Sequence, residues 1–252
     1  MLVNIDVIIL SYGKTTALQS ITRNGIETLL ASEEPEKIKL NVIVVESDQS
    51  LSPYQYPGAI TIYPNTVFGY HKFMNIGLKA CASTYVCLCN NDLVFHKHWA
   101  TNILMEMDKD PALLSASPYD DRFHQDEGFS KFQPPLEGYM GVLSGWCIFT
   151  KRAIFDVIGP LDENLTFWYC DADYCRSLIK HGIKNCLVSS SFVTHLGSVS
   201  TKTLDKKESN KLTKLPEFYY RYKWQHQSYI KYKLQVIKYK LQIAFGLNGQ
   251  SG

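Results

Sequence analysis

Residues 85–95 read YVCLCNNDLVF, a buried strand that ends in three polar side chains. The continuous apolar run from 85 to 89 is typical of a strand covered on both faces, as in a parallel sheet. The run stops at Asn90, Asn91 and Asp92, which offer two amides and one carboxylate to a polar ligand. This stretch therefore predicts a mostly parallel sheet with a ligand site at the carboxyl ends of its strands.

The rest of the chain repeats this alternation of buried strands and amphipathic helices. We expect further strands at 5–10, 40–45, 60–63, 141–150 and 184–198. We expect helices at 15–31, 73–81 and 99–107, and two more on either side of a turn at Gly159-Pro160, the second ending at Gly182. Such alternation predicts an α/β fold with a Rossmann-like sheet flanked by helices. Residues 117–140 are rich in Pro, Gly and charge and indicate a long loop.

Polar turns follow three of the predicted strands, in the segments SYGK (11–14), ESD (46–48) and NND (90–92). Turn residues are usual after any one strand, but three such segments would meet in one crevice of an α/β sheet. The chain has no glycine-rich phosphate loop, so backbone amides would not cradle a phosphate there. A divalent metal ion is the other common means of neutralising a diphosphate.

Four side chains are candidates for the chemistry of this crevice. Asp92 is a hard oxygen ligand suited to Mg²⁺ or Mn²⁺, and His195, near the end of the last strand, is a candidate second ligand. A lone histidine more often has a structural role than a metal-binding one. His195 is therefore a candidate ligand only because other candidate residues are expected in the same crevice. Asp171 and Asp173 open a predicted helix, where carboxylates also serve as ordinary capping groups. If that helix begins at Ala172, Asp171 caps it and faces the cleft.

The order of these motifs resembles the inverting family 2 glycosyltransferases, which have the GT-A fold, over roughly residues 4–200. Five segments carry the resemblance, in family order: IDVIILSYGK (5–14), VIVVESDQS (42–50), NTVFGYHKFMNIGLKACASTYVCLCNND (65–92), GWCIFTKRAIFDVIGPLDENLTFWYCDADYCRSL (145–178) and VTHLGS (193–198). The resemblance implies a metal-dependent enzyme that moves a sugar from a UDP-, dTDP- or GDP-sugar to a hydroxyl of a glycan or surface polysaccharide.

The resemblance also implies roles for the nucleotide-binding residues. Ser11 and Tyr12 would line the nucleobase pocket, with Tyr12 stacking on the base. Glu46 and Asp48 would receive the base and the ribose, with the register uncertain by one position. Asn91 would contact the ribose or a metal-bound water.

For the chemistry, the resemblance implies that Asp92 binds Mn²⁺ or Mg²⁺ and that His195 completes the metal shell. Asp171 would be the general base, with Asp173 as the alternative carboxylate near the acceptor or donor sugar. Trp146 would offer a flat face to the acceptor or donor sugar, and a role in the core is an equal alternative for it.

The sequence departs from the family pattern at two positions. Cys170 occupies the place of an acidic residue before the base, and Asn90, or Asn91 in the closest register, replaces the first carboxylate of the metal motif. These departures leave two alternatives open. One is a sugar-nucleotide-binding protein without catalysis; the other, suggested by the basic tail, is a glycosyltransferase acting on modified DNA bases.

The composition indicates the class of protein and its cellular location. The 252 residues are 45% hydrophobic and 20% charged, and they contain no apolar run of about 18 residues that would predict a membrane span. The seven cysteines are an odd number without regular spacing, which argues against a disulfide framework or a structural zinc site. We expect a reducing, cytoplasmic location, with peripheral contact to a membrane as an option.

The charge distribution divides the chain. Residues 206–241 carry ten Lys/Arg and two Asp/Glu, a net charge of +8, whereas residues 1–205 carry 16 and 22, a net charge of −6. We therefore expect a GT-A catalytic domain at 1–205 and a basic, aromatic-rich helical extension at 206–252.

The extension contains a seven-residue repeat, IKYKLQV at 230–236 and IKYKLQI at 237–243. This period favours a helix with one apolar stripe at 230, 234, 237 and 241 and a second at 232, 236, 239 and 243. Two stripes suggest burial on one side and a contact on the other. Packing on the catalytic domain, self-association, an anionic membrane surface and nucleic acid all remain open as the partner.

Overall fold

The computed structural model describes residues 2–139, 141–197 and 206–245. A nine-stranded sheet lies at the centre of this part of the chain. Its strands are β1 Val3–Ser11, β2 Ile38–Glu46, β3 Ala59–Ile62, β4 Tyr85–Asn90, β5 Leu93–Phe95, β6 Leu113–Tyr119, β7 Leu136–Glu137, β8 Cys147–Lys151 and β9 Lys184–His195.

Helices cover both faces of the sheet, and, among the described residues, two further helices follow its last strand in the chain. They are α1 Thr16–Leu30, α2 Tyr70–Lys79, α3 Trp99–Lys109, α4 Asp121–Asp126, α5 Ile154–Ile158, α6 Cys170–Lys180, α7 Lys206–Trp224 and α8 Tyr229–Ala244. In the part of the chain that the structure covers, no helix has the length and apolar character needed to cross a bilayer.

The strand order is β3-β2-β1-β4-β8-β6-β9-β5, with β7 paired to β9. Strands β3, β2, β1 and β4 are mutually parallel, and β6 is parallel to β9. Strand β8 is antiparallel to both β4 and β6, and β5 is antiparallel to β9. The predicted α/β fold with a mostly parallel sheet is therefore confirmed, and the carboxyl ends of β1, β2 and β4 lie at one edge.

Strand β1 is buried on both faces, as its unbroken apolar run predicts. Ile5, Val7 and Ile9 belong to the core cluster on one face of the sheet, and Ile8 and Leu10 belong to the cluster on the other. Alternate side chains of a strand point to opposite faces, so this division follows from the strand period of two. The first strand is thereby fixed in the middle of the sheet, with its carboxyl end at the edge that carries the site.

Three local predictions differ from the structure. The segment 117–140, expected as a loop, includes the end of β6, all of α4 and strand β7, while the strand expected from 141 begins only at Cys147. Helix α4 forms because the Asp120 carboxylate accepts hydrogen bonds from the backbone N–H groups of Arg122 and Phe123. Helix α6 begins at Cys170, not at Ala172, so Asp171 lies in its first turn.

Helix α7 packs against the α/β body of the protein, formed by the sheet and the helices that cover it. Tyr220 is buried with Leu165 and Cys170, and the side chains of Lys223 and Trp224 reach carboxylates of the body. The expected division of the chain after residue 205 stays a prediction, because residues 198–205 lie outside the described part of the chain.

Candidate functional site

A cavity of about 470 Å³ opens at the carboxyl ends of β1 and β4. Seven of the residues expected at a site line it, namely Ser11, Tyr12, Asn91, Asp92, Trp146, Asp171 and His195. Glu46, Asp48 and Asp173 are not among the lining residues. Sequence positions that are far apart therefore meet in one place, because the strand order brings β1, β4, β8 and β9 together.

Asp92 and His195 face each other across a strand pair. Strand β5 directly follows Asp92 and is antiparallel to the end of β9, so that Leu93 lies opposite His195. The Nε2 atom of His195 lies 3.3 Å from Oδ1 of Asp92. This contact lacks hydrogen-bond geometry, and Nε2 is a buried polar atom without a partner. An imidazole nitrogen and a carboxylate oxygen left in this state fit a divalent cation between them.

Two ligands are few for a metal held by protein alone. In the described part of the chain, one group of three His, Cys, Asp or Glu side chains has its ligand atoms within 4.8 Å of one another, the thiols of Cys87, Cys89 and Cys147. These thiols are fully buried in the apolar core rather than in the cavity lining. A cation at Asp92 and His195 would therefore depend on oxygen atoms from a bound ligand.

His195 is held in place through its ring and through its backbone. The ring of Trp146 stacks on it, with centroids 5.4 Å apart and an interplanar angle of 13°. The backbone N–H of His195 donates to Oδ2 of Asp120 at 2.7 Å, and the guanidinium of Arg122 donates to the carbonyl oxygen of His195. Trp146, predicted either to contact a sugar or to lie in the core, thus lines the cavity while it is only 6% exposed.

His124 lies behind this group. Its Nδ1 accepts a hydrogen bond from the Asp120 backbone N–H at 2.8 Å, and its Nε2 lies 3.0 Å from Oγ of Ser144. Burial lowers the pKa of His124 to about 4, despite the opposing effect of Asp120. The neutral ring therefore carries its proton on Nε2 and donates it to Ser144. His124 connects the start of α4 to the segment that leads into Trp146.

The polar groups at the end of β1 form a connected network. Oγ of Ser11 lies 2.9 Å from Oγ1 of the fully buried Thr22, and the amide of Asn91 donates to the same Thr22 oxygen at 2.9 Å. Tyr12 is half-buried beside them, and Ser47 donates from its hydroxyl to the Ser11 carbonyl. Thr22 thus fixes Ser11 and Asn91 relative to each other at the wall of the cavity.

Glu46 and Asp48 lie next to this network but serve the protein backbone. Glu46 is fully buried; one carboxylate oxygen accepts from the N–H groups of Gly13 and Asp48, and the other accepts from the Tyr56 hydroxyl at 2.9 Å. Asp48 caps a short 3₁₀ turn by accepting from Ser50. Glu46 therefore shapes the turn after β1, and the structure places neither carboxylate in the lining of the cavity.

Asp171 lies in the first turn of α6, with its side chain exposed at the cavity. Its Oδ1 accepts from the Ala172 N–H at 2.8 Å, which leaves Oδ2 available to a ligand. Gly145 allows Asp171 to approach so closely, since a Cβ atom at position 145 would lie 2.5 Å from Cβ of Asp171.

The side chain of Asn90, at the end of β4, is held by Tyr70. The Tyr70 hydroxyl donates to Oδ1 of Asn90 at 3.1 Å, and burial raises the pKa of Tyr70 well above 10, so the donor keeps its proton.

Asp173, two residues further on, has a different environment. It is 3% exposed, and its Oδ1 accepts from Nε1 of Trp224 at 2.6 Å and lies 2.7 Å from Nζ of Lys223. These partners come from α7, so Asp173 anchors the C-terminal extension on the body. The structure thus separates the two carboxylates that the sequence left as alternatives.

The comparison with known families agrees with this geometry. Residues 6–157 match the family described as Glycosyl transferase family 2, and this match covers more than half of the chain. The chain belongs to glycosyl transferase family 2. Among curated proteins, no sequence matches significantly.

Solved structures similar to this family 2 member show the same GT-A fold. GalNAc-T7 with UDP, GalNAc and Mn²⁺ is 12% identical, with a TM-score of 0.60, over 77% of this chain and 44% of its own. TarS 1–349 of S. aureus is 12% identical, with a TM-score of 0.58, over 93% of this chain and 78% of its own. The mannosyltransferase PcManGT of Pyrobaculum calidifontis, with GDP-Man and Mn²⁺, is 13% identical, with a TM-score of 0.53, over 73% of this chain and 56% of its own. The chain thus spans less than two thirds of GalNAc-T7 and of PcManGT.

Several residues around this cavity were not predicted from the sequence. Asp120 and His124 lie in the segment expected as a loop, although an aspartate before DRFH is a recognisable helix-capping signal. The role of Gly145 depends on its distance from a residue of another element, so no local signal marks it. A glycine next to a tryptophan in an apolar run indicates only that some other group lies close to the backbone there, without indicating which group.

Proposed function

We propose that the protein is a metal-dependent, inverting glycosyltransferase that moves a sugar from a nucleotide-diphosphate donor to an acceptor hydroxyl. The observation that carries this proposal is the convergence of the Asp92–His195 pair and Asp171 on one cavity. A metal-binding pair and a free carboxylate at a single cavity are what a reaction with a diphosphate leaving group requires. Membership of glycosyl transferase family 2 supports the reaction class.

Asp92 and His195 would hold Mn²⁺ or Mg²⁺ together with the oxygens of the donor diphosphate. The bound cation would offset the negative charge that grows on the diphosphate as the bond to the sugar breaks. Asn90 or, in the closest register, Asn91 would stand where the family motif has a further carboxylate, and the amide oxygen of Asn90 accepts from the Tyr70 hydroxyl. With one carboxylate fewer, the protein would bind the cation weakly until the donor is present.

Asp171 would act as the general base. Its Oδ2 would take the proton from the acceptor hydroxyl while the acceptor oxygen forms a bond to the anomeric carbon. The bond between that carbon and the donor phosphate breaks in the same step, and its electron pair leaves with the nucleoside diphosphate. Attack from the face opposite the leaving group inverts the configuration of the sugar.

The nucleoside would bind beside Tyr12, Ser11 and Asn91, at the end of β1. Similar structures support a nucleotide-sugar donor, since they contain UDP with Mn²⁺ in GalNAc-T7 and GDP-Man with Mn²⁺ in PcManGT. The network through Thr22 supports this position because it presents fixed polar groups next to an aromatic ring.

The acceptor would be a glycan. Phe68, Phe167 and Trp168 line the cavity near Asp171, and Trp168 is 44% exposed. Aromatic rings with one open face suit the apolar faces of sugar rings. An acceptor sugar on these rings would lie close to the carboxylate that takes its proton.

A donor screen tests the proposal. Melting temperatures are measured with Mn²⁺ and each of the UDP-, GDP- and dTDP-sugars, because a ligand that binds the folded state raises the melting temperature. The donor that gives a shift is then assayed for sugar release and transfer, with Asp171→Asn as the matched variant. We expect both proteins to bind the donor and only the wild type to turn it over. Binding without any turnover by the wild type would instead indicate a sugar-nucleotide-binding protein.

A further inference from the structure

Helix α8 presents an uncovered apolar stripe to solvent. Ile230, Leu234, Ile237 and Leu241 follow one another along one side of the helix at intervals of four, three and four residues. Their exposed fractions are 72%, 62%, 55% and 51%. Four large aliphatic side chains exposed in a row are more than the scattered surface hydrophobics of an ordinary protein. We call these four residues the α8 seam.

The opposite side of α8 is already occupied. The ring of Tyr232 stacks on Tyr222 of α7, with centroids 5.2 Å apart and an interplanar angle of 15°. Tyr239 is buried and meets Phe218 edge to face at 6.0 Å. The second stripe expected from the sequence thus packs on α7, and this packing fixes the α8 seam outward.

Lysines border the α8 seam on both sides. Lys231 and Lys238 lie on one flank and Lys233 and Lys240 on the other, and all four are exposed. The sequence has no Asp or Glu from position 218 to its end, so no acidic side chain of this segment offsets their charge. The outward side of α8 is therefore an apolar band between two rows of positive charge.

We propose that α8 docks the protein on an anionic lipid surface, with the α8 seam in the acyl boundary and the four lysines at the headgroups. A helix with an apolar face flanked by lysines lies in the plane of such an interface. The lysines complement the negative potential of anionic headgroups, and long lysine side chains reach the headgroup level while their stems stay in apolar surroundings. Lipid is the partner that satisfies both features at once.

The other two candidate partners each satisfy only one feature. A second copy of α8 would cover the seam, but it would bring the lysines of both helices together without any acidic residue to pair with them. Nucleic acid would pair with the lysines, but its phosphate backbone would leave the aliphatic seam uncovered.

Helix α8 is connected to the cavity through α7. Helix α7, on which α8 packs, ends at Trp224, which donates to Asp173 in the helix that carries Asp171. Leu212, also in α7, lines the cavity. A lipid-bound α8 would therefore hold the cavity at a fixed place beside the lipid surface.

Vesicle co-sedimentation of the full chain tests this inference. One set of vesicles contains phosphatidylcholine alone, and the other contains equal parts of phosphatidylcholine and phosphatidylglycerol. We expect binding to the mixed vesicles to be at least about 10-fold tighter than to the neutral ones, and to weaken as salt rises. No binding of the wild type to mixed vesicles would overturn the proposal.

Matched variants distinguish vesicle binding through the α8 seam from binding through any exposed hydrophobic side chain. The double variant Ile230→Gln/Ile237→Gln should bind mixed vesicles about 10-fold more weakly, since it removes half of the seam and keeps good helix formers. The control Ile60→Gln/Val157→Gln replaces two side chains, 67% and 57% exposed, on the α/β body and should bind like the wild type. Equal loss in both double variants would contradict docking through α8.

Two further measurements address the alternative partners. Sedimentation equilibrium without lipid should give the same mass for the wild type and for Ile230→Gln/Ile237→Gln. A dimer that the double variant abolishes would overturn the proposal in favour of self-association. Duplex DNA should bind the wild type more weakly than the mixed vesicles do, and tighter binding to DNA would overturn it in favour of nucleic acid.

Discussion

The Nε2 atom of His195 lies 3.3 Å from Oδ1 of Asp92, at the point where the end of β9 pairs with the strand that follows β4. Asp92 is buried and the Nε2 atom of the half-buried His195 is itself shielded from solvent, yet this nitrogen has no hydrogen-bond partner. Leaving a buried polar atom unpaired is costly, so a ligand that satisfies it should bind favourably. A divalent cation held jointly with a diphosphate is that ligand in our account.

The first prediction concerns metal affinity. Mn²⁺ should bind weakly to the free protein and much more tightly with a nucleoside diphosphate present, because protein ligands alone are too few. Loss of a group that merely orients a metal ligand typically lowers affinity about 10–100-fold, so His195→Ala should cost at least as much. Titration calorimetry measures both effects, with His181→Ala, an exposed residue at the end of α6, as the control. Tight Mn²⁺ binding without nucleotide would contradict this view of the site.

The second prediction separates the two carboxylates of α6. Asp171→Asn should lower the transfer rate by roughly 10²–10⁴-fold while the melting temperature and donor affinity stay near those of the wild type. Asp173→Asn should instead destabilise the fold by roughly 1–3 kcal/mol, because it removes the buried carboxylate that pairs with the half-buried ammonium of Lys223. Rate measurements and urea unfolding of the two variants check this. The reverse pattern would assign the base to Asp173.

The third prediction concerns the space beside Asp171. A methyl group on Gly145 would lie 2.5 Å from Cβ and 2.8 Å from Oδ2 of Asp171, so Gly145→Ala must displace the carboxylate. Misplacement of a catalytic group by about 1 Å can cost on the order of 100-fold in rate. Gly69→Ala, whose new methyl group would meet other atoms only at 3.5 Å or beyond, is the matched control and should keep its activity. A fully active Gly145→Ala would show that Asp171 need not lie where the structure has it.

The fourth prediction is a pH dependence of stability from Asp162. Burial raises the pKa of this carboxyl, but hydrogen bonds from Lys223, Asn164 and Tyr219 outweigh that effect and lower it to about 2 from 3.8. The folded state thus favours the charged form, and the resulting stabilisation is present above the unfolded value and is lost as the pH falls from 3.8 towards 2. The effect amounts to about 2 kcal/mol.

Asp162→Asn isolates this contribution from other acid-labile groups. Urea unfolding of the wild type and the variant should show a gap in the free energy of unfolding near neutral pH that closes as the pH approaches 2. A gap that stays constant through this range would mean that ionisation of Asp162 does not stabilise the docking of α7.

The sequence predicted those parts of the fold that depend on local pattern. Continuous apolar runs marked β1, β2 and β4, and their polar ends correctly indicated one shared edge of the sheet. Helix α4 was missed because it has only six residues, too few for a periodic apolar pattern in a segment rich in charge. Helix α6 begins at Cys170, two residues before the start at which Asp171 would have capped it, so this condition on the role of Asp171 is not met.

Contacts between distant segments could not be predicted in the same way. The fully buried Glu46 was expected to bind a nucleoside, but its partners Gly13 and Tyr56 become visible only once β1 and β2 are paired. The burial of Asp173 depends on Trp224, which comes from the C-terminal extension. The sequence alone does not distinguish a carboxylate at a strand end that faces a ligand from one that accepts from a backbone amide.

The fifth prediction concerns the dependence of the reaction on a metal ion at Asp92. It is measured as release of nucleoside diphosphate from the donor identified by thermal shift, for the wild type and for Asp92→Asn, with Mn²⁺ and with a chelator. We predict release that depends on Mn²⁺ in the wild type and a loss on the order of 100-fold or more in Asp92→Asn. Release that persists in the chelator, or that is unchanged in Asp92→Asn, would contradict the claim that Asp92 and His195 form the metal site of a glycosyltransferase.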